Sequence, residues 1–153
     1  MQYTGQSILV HKKGGTVVDN LRILVNCLNC RKSLMNPDVQ IDRLNAIHLF
    51  VKIGDKTGNL FLSQIYGSYN KRFDGIDDIE DAVVECSCPH CHNPLPFFER
   101  CSTCQAPVIG LGLQVGGIIK VCSRNGCKQH ALEFEEIDHA FRLFQSQDDS
   151  HLA

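Results

Sequence analysis

Nine cysteines constrain this chain more than any other feature, and eight of them fall into pairs. Three stretches, "CLNCRKSL" at 27–34, "CPHCHNPL" at 88–95 and "CSTCQAPV" at 101–108, share a Cys-x2-Cys spacing. In each, three further residues separate the second cysteine from an apolar one: Leu34, Leu95 or Val108. A fourth stretch, "CSRNGC" at 122–127, is a looser Cys-x4-Cys whose Asn125-Gly126 suits a tight, positive-φ turn. A Cys-x2-Cys turn directs two thiolates at one tetrahedral ion, with Zn–S distances of about 2.3 Å, and a second pair must close the coordination. Cys86, in "CSC", stands outside the pairs.

Disulfides are the competing use of so many thiols. The chain has no run of eighteen apolar residues, and its opening "MQYTGQSILVHKKGG" lacks the apolar core and small-residue cleavage site of a signal peptide. A cytoplasmic location with no membrane association is therefore expected, where thiols stay reduced and paired cysteines serve as metal ligands. Formal charge is -2, and eight thiolates with two dications would bring the loaded chain to about -6. A phosphate-binding surface would have to be local. The fragments available are "HKK" at 11–13, "RK" at 31–32, "KR" at 71–72 and a scatter from Lys120 to Lys128, and each reads first as solvated surface charge.

Periodicity predicts short strands separated by Gly, Pro and Asn. "SILVHKKGGTVV" reads as two strands around Gly14-Gly15, and "LRILVNC" as a strand or a short helix leading into Cys27. Ile47, Leu49, Val51 and Ile53 alternate along one face, the segment from Gly54 to Gly58 supplies a turn, and residues 60–66 return as a hairpin. The acidic stretch "IDDIED" lacks the spacing of a calcium loop and leads into a strand at 82–86. A second hairpin is expected from Val108–Leu113 against Ile118–Cys122, turning at Gly116-Gly117, with Gly110 and Gly112 as hairpin glycines and no dinucleotide loop. Phe134, Ile137, Phe141 and Phe144 recur with helical spacing and predict an amphipathic C-terminal helix.

With these knuckles and hairpins the sequence resembles the zinc-ribbon superfamily, in which two cysteine knuckles face each other at one end of a small antiparallel sheet. The likeness is strongest for Cys101, Cys104, Cys122 and Cys127, whose inner members are separated by 17 residues that read strand, turn, strand. For Cys27, Cys30, Cys88 and Cys91 the separation is 57 residues and encloses the first hairpin, an elaborated ribbon. The resemblance implies a mainly β, small metal-stabilised fold: two zinc-ribbon-like units of antiparallel hairpins, 1–97 and 98–153, with a C-terminal α-helix on the second. A crossed scheme stays open, joining Cys88 and Cys91 to Cys101 and Cys104 across nine residues that include Pro94 and Pro96, with Cys27 and Cys30 then meeting Cys122 and Cys127. His90, His92 and His130 compete as ligands, His130 foremost because it lies three positions past Cys127. Cys86 reads as a buried thiol ending a strand.

Four thiolates leave zinc no open position for water, so the expected role of two Zn ions is structural and the chain is read as no enzyme. Iron is the rival occupant, since rubredoxin-like proteins hold one iron with comparable knuckles. A thiol oxidoreductase is disfavoured because Pro107 and the glycines that follow Cys104 point to a hairpin where redox motifs open a helix. The expected function is an adaptor or small subunit with a protein partner. The alternative is nucleic-acid binding through Tyr66, Tyr69, Lys71 and Arg72 around one loop and Lys120, Arg124 and Lys128 around the last knuckle.

Overall fold

The computed structural model describes residues 8–11 and 21–134. In chain order its strands are β1 (Ile8–His11), β2 (Val25–Asn26), β3 (Met35–Ile41), β4 (Leu44–Ile53), β5 (Lys56–Leu62), β6 (Lys71–Asp74), β7 (Glu85–Ser87), β8 (Phe97–Arg100), β9 (Pro107–Leu113), β10 (Ile118–Cys122) and β11 (His130–Phe134). Every pairing is antiparallel. One sheet runs β1-β11-β10-β9-β2, with β8 beside β2 on the free edge of β9; the other runs β3-β4-β5-β6, with β7 also on β4. Among the described residues no helix is long and apolar enough to cross a membrane.

The first hairpin forms where alternation predicts it. Ile47, Leu49 and Val51 are buried while His48, Phe50 and Lys52 face outward, and Ile47 pairs with Leu62 at one end and Ile53 with Lys56 at the other. The turn is tighter than the Gly54–Gly58 loop expected: Gly54 adopts φ 63°, the return begins at Lys56, and Gly58 lies inside β5. The hairpin before it, β3–β4, turns on Asp42 and Arg43 at φ 55° and 68°, a two-residue connection with both residues left-handed, which matches strand twist. Its sequence signal is weak because Asp-Arg stands where Asn-Gly would be the usual pair. The Asp42 carboxylate supplies compensation by accepting from Ser63 Oγ, Ser68 Oγ and Asn70 Nδ2, each at 2.6 Å, and so ties this turn to the loop after β5.

The second hairpin pairs Val108 with Cys122 and Gly112 with Ile118, turning through Gly116 and Gly117 at φ 110° and 102°. β9 is covered on both faces, and Gly110 serves close packing there: a Cβ would overlap the ring of Phe98, which lies across it from β8. The stretch "LRILVNC" resolves into the short strand β2, and "SILVH" contains β1. Of the amphipathic stripe, Phe134 is the last residue of β11, paired with Ile8; the remainder of the expected C-terminal helix lies outside the described residues, as does the strand expected after Gly14-Gly15.

One hydrophobic cluster joins the inner faces of both sheets, with Leu49, Val51 and Leu60 on one side and Val25, Leu111 and Ile119 on the other. The boundary expected at 97/98 runs through β8, and β1 and β2, from the N-terminal part of the chain, pair with β11 and β9. Strand pairing therefore divides the molecule by sheet, and each sheet takes strands from distant parts of the sequence.

Candidate metal centres

Each Cys-x2-Cys stretch folds into the same turn. The amide after the second cysteine donates to the carbonyl of the first, in Arg31 to Cys27 (2.9 Å), His92 to Cys88 (2.9 Å) and Gln105 to Cys101 (2.9 Å). The first cysteine's own amide donates five residues ahead, to Lys32, Asn93 and Ala106 at 3.0, 3.1 and 2.8 Å. Closing so tight a loop forces the residue after the second cysteine into the left-handed region: Arg31, His92 and Gln105 have φ 68°, 62° and 69°. The apolar residue that follows each knuckle anchors it, since Leu34, Leu95 and Val108 are all buried. The fourth knuckle turns on Gly126 at φ 96°, with the Cys127 amide donating to Arg124 O at 3.0 Å.

The knuckles meet in two quartets, Cys27, Cys30, Cys88 and Cys91, and Cys101, Cys104, Cys122 and Cys127, with all sulfurs of each quartet within 4.8 Å of one another. Contacts across the quartets are 3.8 Å (Cys27–Cys91), 3.7 Å (Cys30–Cys88), 3.8 Å (Cys101–Cys127) and 3.3 Å (Cys104–Cys122). A tetrahedral ion with bonds of about 2.3 Å sets its ligands about 3.8 Å apart, whereas a disulfide needs about 2 Å. Both quartets therefore have the size of a four-thiolate metal site, and all nine cysteines are free. The crossed pairing is not the one formed.

The two centres occupy different places. The first knuckle leads from β2 in one sheet to β3 in the other, and the second leads from β7 back to β8, so the first centre, which we call site I, joins both crossovers between sheets. Site II lies within one sheet, between the β8–β9 and β10–β11 connections.

Surrounding donors are arranged for negative sulfur. Backbone amides of Asn29 and His90 point at Cys27 and Cys88 at 3.3 Å, and that of Arg124 at Cys122 at 3.4 Å. The Asn93 amide and then the Asn29 side chain draw the Cys91 thiol down to about 6, and the Ala106 amide does the same at Cys104, also to about 6. Burial pushes Cys88 up to about 12 and raises Cys122 and Cys127. Without a cation, each quartet holds some sulfurs that ionise readily and others that burial keeps protonated; a dication is what allows all four to be thiolates together. Beside site II the Arg124 guanidinium donates to Cys104 O at 3.4 Å and Asp81 O at 2.9 Å, placing a positive charge against the sulfurs.

Cys86 belongs to neither quartet. Two residues ahead of its knuckle, its carbonyl receives the Leu95 amide at 3.0 Å, as Val25 receives Leu34 ahead of the first knuckle. Its side chain thus occupies the place of a core valine, and burial drives its thiol up to about 12. Of the competing histidines, His92 is exposed at its left-handed turn position, and His90 Nε2 lies 3.0 Å from Ser33 O, linking the two knuckles of site I from outside. His130 is paired with Val121 in β11, and site II has its four sulfurs without it. Asn29, His90 and Arg124 as supporting donors were not singled out from sequence as such, because their roles depend on contacts with the partner knuckle or on loops far along the chain. Comparison with protein-family models, with curated proteins and with solved structures gives no match.

Proposed function

We propose that this chain is a non-catalytic zinc-binding protein of the cytoplasm, with two structural Zn(Cys)4 centres, that acts as an adaptor or small subunit toward a protein partner. The observation that carries the metal reading is the pair of four-sulfur clusters of tetrahedral size. With four cysteines around each ion there is no position left for water or substrate, so the ions hold connections in place. The adaptor reading draws on the free edge of β9's neighbours, where Leu24, Phe97 and Phe98 are exposed beside β2 and β8. Exposed apolar side chains on a sheet edge are a recurrent protein-docking feature.

Elemental analysis of freshly purified protein tests the first part: two zinc per chain, with sulfur-only coordination by X-ray absorption, is expected. Visible charge-transfer bands and stoichiometric iron would transfer the reading to a rubredoxin-like electron carrier. The second part predicts that a protein co-purifying from the native host is lost with Phe97→Ser and retained with a distant surface change such as Lys56→Ser.

Nucleic-acid binding is the second reading, and one observation favours it: Tyr69, Lys71, Arg124 and Lys128, from two separate stretches, line one opening. The other candidates do not join them. Tyr66 is buried, Lys120 is paired with Glu99 and Glu133, and Arg72 stacks on Phe61. Titration of DNA and RNA at two salt concentrations separates the readings, because phosphate contacts produce a steep salt dependence.

A further inference from the structure

The fourth knuckle is built unlike the other three. A Cys-x2-Cys turn closes on its own backbone, and the residues between its two cysteines are exposed or half-buried. The Cys-x4-Cys turn of site II instead buries two of its intervening residues, Ser123 and Asn125, each 7% exposed. Both are polar, and a polar side chain is tolerated in the interior only where its hydrogen bonds are met. Ser123 Oγ donates to Pro107 O at 2.6 Å, where the chain leaves the third knuckle. Asn125 is bonded elsewhere, to residues 75–84, the acidic connector between β6 and β7 of the other sheet.

Backbone and side chains share in this junction. The Val84 amide donates to Ser123 O at 2.8 Å, the Asn125 amide to Ala82 O at 2.8 Å and the Asp81 amide to Asn125 O at 3.0 Å, around a bridge between Val83 and Arg124. Asn125 Nδ2 donates to Asp78 Oδ1 at 2.6 Å and to Ile79 O at 2.9 Å, and the Arg124 guanidinium donates to Asp81 O at 2.9 Å. A loop that carries two sulfurs of site II is thus closed by a segment of the opposite sheet, Asp78 lying 47 positions before Asn125.

We infer that the connector is a positioning element of site II, acting through Asn125: by holding residues 123–125 it fixes the span between Cys122 and Cys127 and so sets how tightly site II retains its ion. The inference rests on the metal reading above and extends it to residues that touch no metal. A four-residue span left free would have to be ordered by the ion itself, and that ordering would be subtracted from the affinity. The connector orders it beforehand. The coupling is reciprocal, so a filled site II in turn orders the connector. Asparagine suits the position because its amide supplies two donor hydrogens, whereas a carboxylate would present none to Asp78 and Ile79 O and would repel the Asp78 charge.

Chelator competition on the full, zinc-loaded chain tests this, with amide-resolved hydrogen exchange identifying the site that empties. Asn125→Asp should weaken retention of one zinc about tenfold or more and leave the other unchanged, the scale of loss seen when a group that orients metal ligands is removed. Asp78→Ala should weaken the same zinc, and it decides the matter from an exposed position if Asn125→Asp fails to fold. Asp77→Ala removes the same charge without touching the bond and should change nothing. The swap of Asn125→Asp with Asp78→Asn, which exchanges donor and acceptor, should recover part of the loss, as general destabilisation would not. With site II emptied by Cys104→Ser, the Asp81 and Val84 amides should exchange about tenfold faster or more. Native-like retention of both zincs in Asn125→Asp or in Asp78→Ala would overturn the inference and leave the metal reading intact. So would a swap no better than Asn125→Asp alone, or Asp81 and Val84 amides as protected with site II empty as with it filled. A native chain that binds no metal would overturn both.

Discussion

At the scale of the residue, the cysteines separate by the geometry around each sulfur. Cys86 shares its chemistry with the other eight, yet its thiol is driven up to about 12 by burial and it replaces a valine in the knuckle pattern. Cys86→Val should therefore retain both metal equivalents, whereas Cys30→Ser should lose one; mass spectrometry of the native protein reads the difference, and a fall to one equivalent in the Cys86 variant would refute this assignment. The turn residues carry a second expectation. Arg31, His92 and Gln105 hold a left-handed backbone that costs a non-glycine residue about 1 kcal/mol. Glycine at each of the three should raise stability by up to about 1 kcal/mol per site in urea unfolding, with metal content constant. For His92 the same experiment excludes a ligand role, because a ligand's removal would release metal.

At the scale of the element, hairpins with an alternating buried face were legible: β4 with β5, and β9 with β10, lie where Ile47, Leu49 and Val51, or Val108 and Ile118, place them. Strands β3, β6, β8 and β11 were not, for physical reasons. β8 is exposed along its length, and β3 carries Pro37 at a register shift, so neither has the apolar alternation that marks a half-buried strand. The β3–β4 turn depends instead on Asp42, whose three hydrogen bonds from Ser63, Ser68 and Asn70 hold its carboxyl below the usual range. A carboxyl lowered in the folded state contributes stability that is fully present above its unfolded value, about 4, and is lost as pH falls through the folded value. The stability advantage of the native chain over Asp42→Asn should thus be constant near neutrality and shrink below about pH 4. Urea unfolding of both proteins across that range is the measurement, and an advantage that grows on acidification would show the sign to be wrong.

At the scale of the whole molecule, the two centres differ in what they join. Site I holds both crossovers between the sheets, while site II holds two connections within one sheet, and a single core lies between the sheets. Loss of site I in Cys88→Ser should lower the midpoint of thermal unfolding more than loss of site II in Cys104→Ser. Hydrogen exchange should rise across both sheets in the first variant and mainly in β8 to β11 in the second. Because the core is shared, unfolding of the native chain should be a single transition; two resolved transitions would restore a division near residue 97. Chelation with a strong zinc ligand should mimic the double loss, with metal release preceding loss of β signal.

The sequence by itself determined which cysteines form the three Cys-x2-Cys knuckles, because such a turn is closed by hydrogen bonds among six consecutive residues and needs no distant partner to aim its sulfurs. It also determined the two hairpins in which one face is apolar at every second position. Which knuckle met which, the sharing of one core, the valine-like place of Cys86 and the opening lined by Tyr69, Lys71 and Lys128 were decided only by tertiary structure. Most of these depend on strands far apart in the sequence finding an edge, as β2 finds β9 and β7 finds β4, and such pairings arise from the joint burial of many side chains, which no local stretch encodes.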